Sequence, residues 1–460
     1  MTLAAALAAL ALAALPALPA VDGQAGPAGE DEQAGLSPRT YLVERVEFRG
    51  LSHVREWAVR RHLLPMDGRP LDEERVLASR LRLLQVGWFS TVETRLERGH
   101  QRGQVVLVFE VVERNTLVVT DLVLGSTPPQ PVYGGLGLAQ QNFLGQGLSL
   151  GGAFVAGGAP AGRPGDPARF ALRGTFDAPD VGVAGRQLVL GISGLWLRGE
   201  ELVCADAACD GHRGHFGDAP RLRYQRGGGE VTLGVRTGPF ERLSGGFRLE
   251  RIAATGVGTP EGRVPAILTG VSRLAAITGT WAFDSRDDLF LPTEGLALQA
   301  QVGFGSRLVG SDYEYSRYVV QAETGFGLLG RPLRLQALLG AAQGGAPFFE
   351  RFYAADLSYF AVGPALGRAL ELNFSTDPRY DAFAAMGGVE YAIPLWGHAG
   401  GFFRRGYLSL GARAVWTTGE LGGTRTRFSR WPISVDAALR LDTPVGTFDF
   451  SLGAVADNAL

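Results

Sequence analysis

Cys204, Cys209, His212 and His215 lie within one short stretch. Thiolates and imidazoles at that spacing suit a tetrahedral zinc ion. The same two cysteines also suit a local disulfide in an oxidising compartment. The disulfide between Cys204 and Cys209 is the expected reading, with zinc and free thiols as alternatives. Asp287 and Asp288 are adjacent carboxylates, but they sit beside Pro292 and Gly295 with no acid or base partner in view, so they read as solvated turn residues. The chain has no Gly-x-Ser-x-Gly elbow, no His-Glu-x-x-His pair and no Walker loop. The Gly-x-Gly pieces at Gly135–Gly137 and Gly145–Gly147 fall within strand-like alternation, not before a helix. These observations predict no catalytic residue, no metal, no cofactor and no small-molecule substrate. A formal net charge of −2 excludes a strongly basic nucleic-acid binder.

The elements that carry these residues belong to two kinds of structure. Residues 37–116 hold 14 Arg and 11 Asp or Glu but only 5 Gly, whereas residues 117–460 hold 57 of the 66 Gly. Every basic residue is Arg. Before both lies an uncharged apolar run, Leu3–Ala20, rich in Ala and Leu and broken by Pro16 and Pro19. It reads as a secretory signal over residues 1–25, followed by a linker over 26–39, although Met1-Thr2 lacks the usual positive charge. No later segment has about 20 consecutive apolar residues, so any membrane crossing must be made by a closed barrel.

The first part is a small α+β unit. Tyr41–Arg49 alternates, with Tyr41, Val43, Arg45 and Glu47 on one face, and is expected to form a strand ending at Gly50. Ser52 is placed to cap a helix over Val54–Leu64, and Asp72 a second helix carrying Val76, Leu77, Leu81 and Leu84. Two strands, Phe89–Glu97 and Gln104–Val112, follow around the Gly99–Gly103 turn.

The second part alternates almost throughout. Leu408, Leu410, Ala412, Ala414 and Trp416 share a face opposite Tyr407, Ser409, Gly411, Arg413 and Val415. Leu296, Leu298, Ala300, Val302 and Phe304 do the same opposite Gln299, Gln301 and Gly303. Segments of about 9–12 residues with one apolar face match tilted membrane strands.

The β-α-α-β-β order, with Gly87-Trp88-Phe89-Ser90 leading into the second strand, resembles a POTRA domain over residues 40–114. Residues 115–460 carry four further signals. They are Gln140-Gln141-Asn142-Phe143-Leu144-Gly145-Gln146-Gly147; Asp284-Ser285-Arg286-Asp287 with Leu291-Pro292-Thr293-Glu294-Gly295; Arg351-Phe352-Tyr353; and Thr443-Pro444-Val445-Gly446. In this order they resemble the turn motifs of the BamA/TamA outer-membrane assembly family. Asn142, Phe143, Gly145, Asp284, Arg286, Asp287, Pro292 and Gly295 are thus the family-motif residues. The resemblance implies a mainly β protein: an α+β POTRA domain followed by a large antiparallel transmembrane β-barrel of about sixteen strands. In that register fifteen strands are counted, beginning near Asn115, Val132, Leu148, Ala168, Gly185, Gly229, Leu243, Val271, Leu296, Asp312, Pro332, Phe383, Arg405, Ile433 and Thr447. The closing strand is expected to be missing, since Ala456–Leu460 falls where the last outer loop belongs.

The family's sixth loop folds into the lumen and presents an Arg to an acidic residue on the barrel wall. Residues 345–382 are long enough for it. Gly367-Arg368-Ala369-Leu370 is the best match, lacking the motif's glycine and aromatic after the Arg. The wall position expected to be acidic reads Gly411, leaving Asp436 on the next strand as the substitute partner. A buried Arg without a partner is costly, so the lock is expected to be altered. The resemblance implies an outer-membrane protein with its POTRA domain in the periplasm. Its partners would be the outer-membrane bilayer and an unfolded outer-membrane or secreted client. One POTRA unit favours a specialised member. The alternative is a passive pore or structural barrel.

Overall fold

The computed structural model describes residues 41–127, 130–158, 168–183, 186–202, 221–256, 267–288, 291–353, 380–397, 401–418 and 433–456. The expected signal and linker, Cys204 and Cys209, and Gly367-Arg368-Ala369-Leu370 lie outside these residues. No described helix is long and apolar enough to cross a membrane.

The N-terminal unit is a three-stranded sheet with two helices. Strands β1 (Leu42–Arg49), β2 (Phe89–Arg98) and β3 (Gln104–Glu113) run in the order β1-β3-β2, with β1 parallel and β2 antiparallel to β3. The expected alternation of β1 fails at one place. A register shift between Val43 and Arg45 marks a bulge, and it lets Val43 and Val46 both reach the core. Helix α1 (Glu56–Arg60) is shorter than the expected Val54–Leu64, and Ser52 does not cap it. The Ser52 hydroxyl donates to Glu113 Oε2 at 2.7 Å. Helix α2 (Glu73–Gln85) starts where Asp72 predicts: the Asp72 carboxylate accepts the N–H groups of Glu74 and Arg75.

Among the described residues, the rest is one antiparallel sheet of fifteen strands. They are β4 (Leu117–Thr127), β5 (Gln130–Phe143), β6 (Leu148–Gly157), β7 (Arg169–Val183), β8 (Arg186–Leu202), β9 (Arg221–Arg236), β10 (Glu241–Gly256), β11 (Gly270–Asp284), β12 (Leu296–Gly305), β13 (Tyr315–Leu328), β14 (Arg331–Gly344), β17 (Phe383–Gly397), β18 (Arg405–Thr418), β19 (Ile433–Thr443) and β20 (Gly446–Ala456). Two short strands, β15 (Phe352–Tyr353) and β16 (Tyr380–Asp381), pair with each other between β14 and β17. The wall is built from consecutive neighbours, β20 through to β4. The first strand, β4, meets the turn that leads into β20, where Val119 N–H donates to Val445 O at 2.8 Å.

Side chains obey the period of two. Leu122, Phe154, Trp196, Leu233, Phe450 and Leu452 are exposed on the outer face, forming the apolar belt that a lipid-facing barrel needs. Arg226, Glu250, Arg334, Glu390, Asp436 and Arg440 point inward and are buried. Strand β9 begins at Arg221, eight residues before the expected Gly229. Gly227-Gly228-Gly229 lies inside the wall. A Cβ at Gly228 would run into Leu249 O and Glu250, so glycine is needed there for close strand packing.

Candidate functional site

Two groups of residues can do work: the joint between the POTRA-like unit and the barrel, and the charged lumen.

The joint is built from the short turns at one end of the barrel. Asn142 Oδ1 accepts Gly147 N–H at 2.8 Å and folds residues 142–147 into a tight loop. Gly145 and Gly147 adopt φ of 71° and 74°, a region open to glycine. The loop forms a ledge for the N-terminal unit. Arg55 N–H donates to Gly145 O at 3.4 Å, Arg61 Nη2 to Gln146 O at 2.7 Å and Trp88 Nε1 to Gln141 O at 3.0 Å. A Cβ on Gly147 would press on the Trp88 ring at 2.7 Å. Phe143, the remaining aromatic of this motif, is half-exposed.

Helix α2 continues the joint across the barrel mouth. Arg82 Nη2 donates to Gln187 Oε1 at 2.8 Å, and Gln187 returns a bond to Arg61 O. Gln85 Nε2 donates to Asp284 O at 3.0 Å and to Arg286 O at 3.3 Å. Arg114 Nη2 reaches Asp442 Oδ1 at 2.8 Å, and Arg405 bridges Asp442 to Asp288 at 3.0 and 2.7 Å. Asp288 is therefore paired, not simply solvated. Asp287 accepts Thr293 N–H, Thr293 Oγ1 and Glu294 N–H at 2.6–3.1 Å, a turn staple with no acid–base geometry. Gly295 at φ 97° closes that turn, and Pro292 packs where a Cβ on Gly325 would collide with it.

Inside the barrel, Arg286 is bidentate to Asp284 at 3.0 and 2.7 Å and reaches Glu323 at 2.7 Å. Gln85, Arg236, Arg242, Glu323, Gln336 and Arg413 are among the residues lining a cavity of about 550 Å³ behind the joint. Further round the wall, Glu390 accepts Arg334 and, at 2.8 Å, Arg440 Nη1. Asp436 is buried on the lumen face in register with Gly411, which in turn pairs with Glu390. The row that reads Gly411 thus has an acidic residue on either side. Arg334, Glu390 and Arg440 were not singled out in the sequence. Each is a charged residue between two apolar ones, such as Val389-Glu390-Tyr391, and that pattern marks an inward charge in a barrel strand.

The described stem of the loop after β14 enters the lumen. Phe348 is 1% exposed and meets the Tyr224 ring edge-on at 5.1 Å. Glu350, also buried, accepts Arg248 Nη1 at 2.7 Å. Phe352 lies under Arg317, with 5.3 Å from guanidinium carbon to ring centroid.

A family model for the Omp85 superfamily domain matches residues 142–459, and one for POTRA, the surface antigen variable number repeat, matches residues 41–114. The chain belongs to the Omp85 superfamily. Among solved structures it is similar to CdiB from Escherichia coli, with 9% identity over 92% of this chain and 74% of that one and a TM-score of 0.60. CdiB from Acinetobacter baumannii follows at 10% identity over 91% and 74%, TM-score 0.51. BamA from Haemophilus ducreyi lacking POTRA domains 1–3 aligns at 18% identity over 91% and 82%, TM-score 0.48. At these identities the likenesses concern the fold. This Omp85 chain is an outer-membrane barrel with its POTRA domain on the periplasmic side. Membership of this superfamily supports a role in outer-membrane protein insertion or translocation.

Proposed function

We propose that this Omp85 barrel inserts or translocates client proteins, and that its POTRA domain receives an extended client segment on the free edge of β2. The observation that carries this reading is the unequal state of the two sheet edges. The outer edge of β1 is occupied: Val43 N–H donates to Arg69 O, Gly68 N–H to Val43 O and Val46 N–H to Asp67 Oδ1, while Arg60 Nη2 donates to Val46 O. On β2, Arg80 Nε holds Val92 O at 2.7 Å. Beyond it, among the described residues, no backbone group outside β3 pairs with residues 93–98 up to the Gly99 turn. An uncovered strand edge accepts another strand through main-chain bonds, with little demand on client sequence.

The same unit is bonded to the barrel mouth through Trp88, Arg82 and Gln85, so a client held on β2 is held close to the barrel. No covalent step is required, because burial and backbone pairing drive the transfer.

A photo-crosslinking residue in place of the half-exposed Leu96 tests the reading in cells, with the same residue at Arg49 as control. Crosslinks to unfolded outer-membrane or secreted proteins are expected from position 96 and not from 49. Equal crosslinks from both positions would overturn the edge assignment. Depleting the protein then separates roles: loss of many barrels means general insertion, and loss of one or a few proteins means a dedicated transporter. Channel conductance with neither crosslinks nor losses would favour a passive pore.

A further inference from the structure

We propose that the β5–β6 and β13–β14 turns seat Leu144 and Leu329 in the phospholipid surface of the periplasmic leaflet, so that two leucine tips fix the barrel's depth in the membrane. The occupant is a lipid surface, and the proposal stands whether or not the edge of β2 receives clients.

The two leucines break a local rule in the same way. Among the described residues, they are the non-glycine residues with positive φ, at 56° and 54°. Each precedes a glycine that is also at positive φ, Gly145 at 71° and Gly330 at 73°. In the first turn Gln146 N–H donates to Phe143 O at 3.2 Å. In the second, Leu328 pairs with Arg331 across the two central residues. Positive φ at both central residues is the condition of a tight hairpin turn that strongly favours Asn-Gly. Leucine there crowds its Cβ against the backbone and, unlike Asn, has no polar side chain to bond locally. Packing within the chain does not offset this, since Leu144 is 66% exposed and Leu329 87%. A strained leucine left in water gains nothing, whereas one that enters lipid gains its transfer free energy.

Position supplies the occupant. Strands β5 and β13 run the same way through the wall, so both turns lie at the end that carries the POTRA domain. Both turns also continue lipid-facing rows. Phe143 pairs with Leu148, which shares the outer face of β6 with Leu150 and Phe154. On β13, Phe326 and Leu328 stand opposite Leu333 and Arg331. Arg331, exposed at the end of its row, is placed to reach lipid phosphate while its stem lies along the apolar face. The β9–β10 turn at the same end lacks this device, and its exposed Thr237 hydroxyl donates to Glu241 Oε2 at 3.2 Å. The first turn is also the ledge of the POTRA domain. Lipid that seats Leu144 therefore sets the height at which Gly145 O and Gln146 O receive Arg55 and Arg61.

The test uses the full chain, with Cys204 and Cys209 replaced by serine, folded into vesicles of phosphatidylethanolamine and phosphatidylglycerol. A nitroxide spin label is placed at position 144, 329 or 237 in turn. Labels at 144 and 329 are expected to be more accessible to oxygen, and less to a water-soluble nickel chelate, than the label at 237. Labels no deeper than that at 237 would overturn the proposal, and this reading does not depend on any further variant folding. Urea unfolding in the same vesicles gives a second measure. Leu144→Asn and Leu329→Asn suit the turn better and lipid worse. Each is expected to lower the folded-to-unfolded ratio about fivefold. A ratio that rises or stays at the parent value would mean that turn chemistry alone governs these positions, and would overturn the proposal. Leu329→Met stays apolar and is expected to keep the parent ratio. A loss as large as that of Leu329→Asn would overturn the proposal as well.

Discussion

The POTRA domain and the barrel lumen use the same Arg–carboxylate pairs for different ends. On the POTRA sheet, Arg49 meets Glu97 at 2.7 Å with both side chains nearly half exposed. In the lumen, Arg440 meets Glu390 at 2.8 Å with Glu390 fully enclosed. The distances are nearly equal, but water decides the energy. An exposed pair exchanges hydration for a contact of similar value and is screened by salt. An enclosed carboxylate has given up its hydration, and losing a partner leaves a charge with little to replace it. The lumen pairs therefore hold the wall's inner face in one arrangement, whereas the POTRA pairs leave that surface adaptable. The second condition suits the strand-accepting role proposed for this sheet.

The contrast is broken hardest at Glu390. Glu390→Ala takes one enclosed carboxylate away from both Arg334 and Arg440, and is expected to cost about 4 kcal/mol. Urea unfolding of the folded barrel in lipid, followed by heat-modifiable gel migration, measures this. Loss of less than about 1 kcal/mol would mean that water reaches the pair and that the lumen is not distinct from the surface.

The next largest effect belongs to the joint. Trp88 is buried between His62 and Phe89 while its indole N–H bonds the barrel. Trp88→Ala is expected to cost about 3 kcal/mol of POTRA stability. Gly147→Ala should act differently. It places a methyl against the Trp88 ring and forces a positive φ, costing about 1–2 kcal/mol at the joint alone. Limited proteolysis distinguishes them: the first exposes sites within residues 41–114, and the second releases an intact POTRA domain from the barrel.

Much of this architecture is legible in the sequence, for a physical reason. Lipid on one side and the lumen on the other impose a strict period of two, so Leu408 and Leu410 face out and Ser409 and Arg413 face in as the alternation predicts. The Asp72 cap is local and equally readable. What is not readable is distance in sequence brought to closeness in space. Asn142–Gly147 reads as a turn, but its partners Arg55, Arg61 and Trp88 lie more than fifty residues before it. Glu390 reads as an inward charge, but only the strand register brings Arg334 and Arg440 to it. Ser52 misleads because a local helix signal competes with Glu113, which becomes available only when β3 is in place.

That last competition gives a pH-dependent prediction. Burial pushes the Glu113 carboxyl up, but the Ser52 hydroxyl and the N–H groups of Ser52, Val54 and His53 more than offset it, leaving its pKa at about 2. A carboxyl with a lowered folded-state pKa stabilises the fold fully above its unfolded value of 4.5 and loses that contribution as pH falls towards 2. Glu113→Ala should cost about 1–2 kcal/mol at neutral pH. Chemical unfolding followed at pH 7 and pH 3 should show the gap between parent and variant narrowing at the lower pH. A gap that stays constant would mean that the lost contacts are not those of the ionised carboxylate.

The smallest effect completes the comparison. Hydrogen bonds from Arg49 hold the Glu97 carboxyl below its ordinary range, yet both groups stand in water. Screening and side-chain entropy should cancel most of that contact. Arg49→Ala is therefore expected to leave the POTRA unfolding midpoint unchanged within error, at low and at high salt. A clear, salt-sensitive loss would place Arg49 and Glu97 with the lumen pairs, and would mean that this face of the sheet is held as firmly as the barrel wall. Under the proposed client binding, the free edge of β2 would then act as a rigid template and not as an adjustable surface.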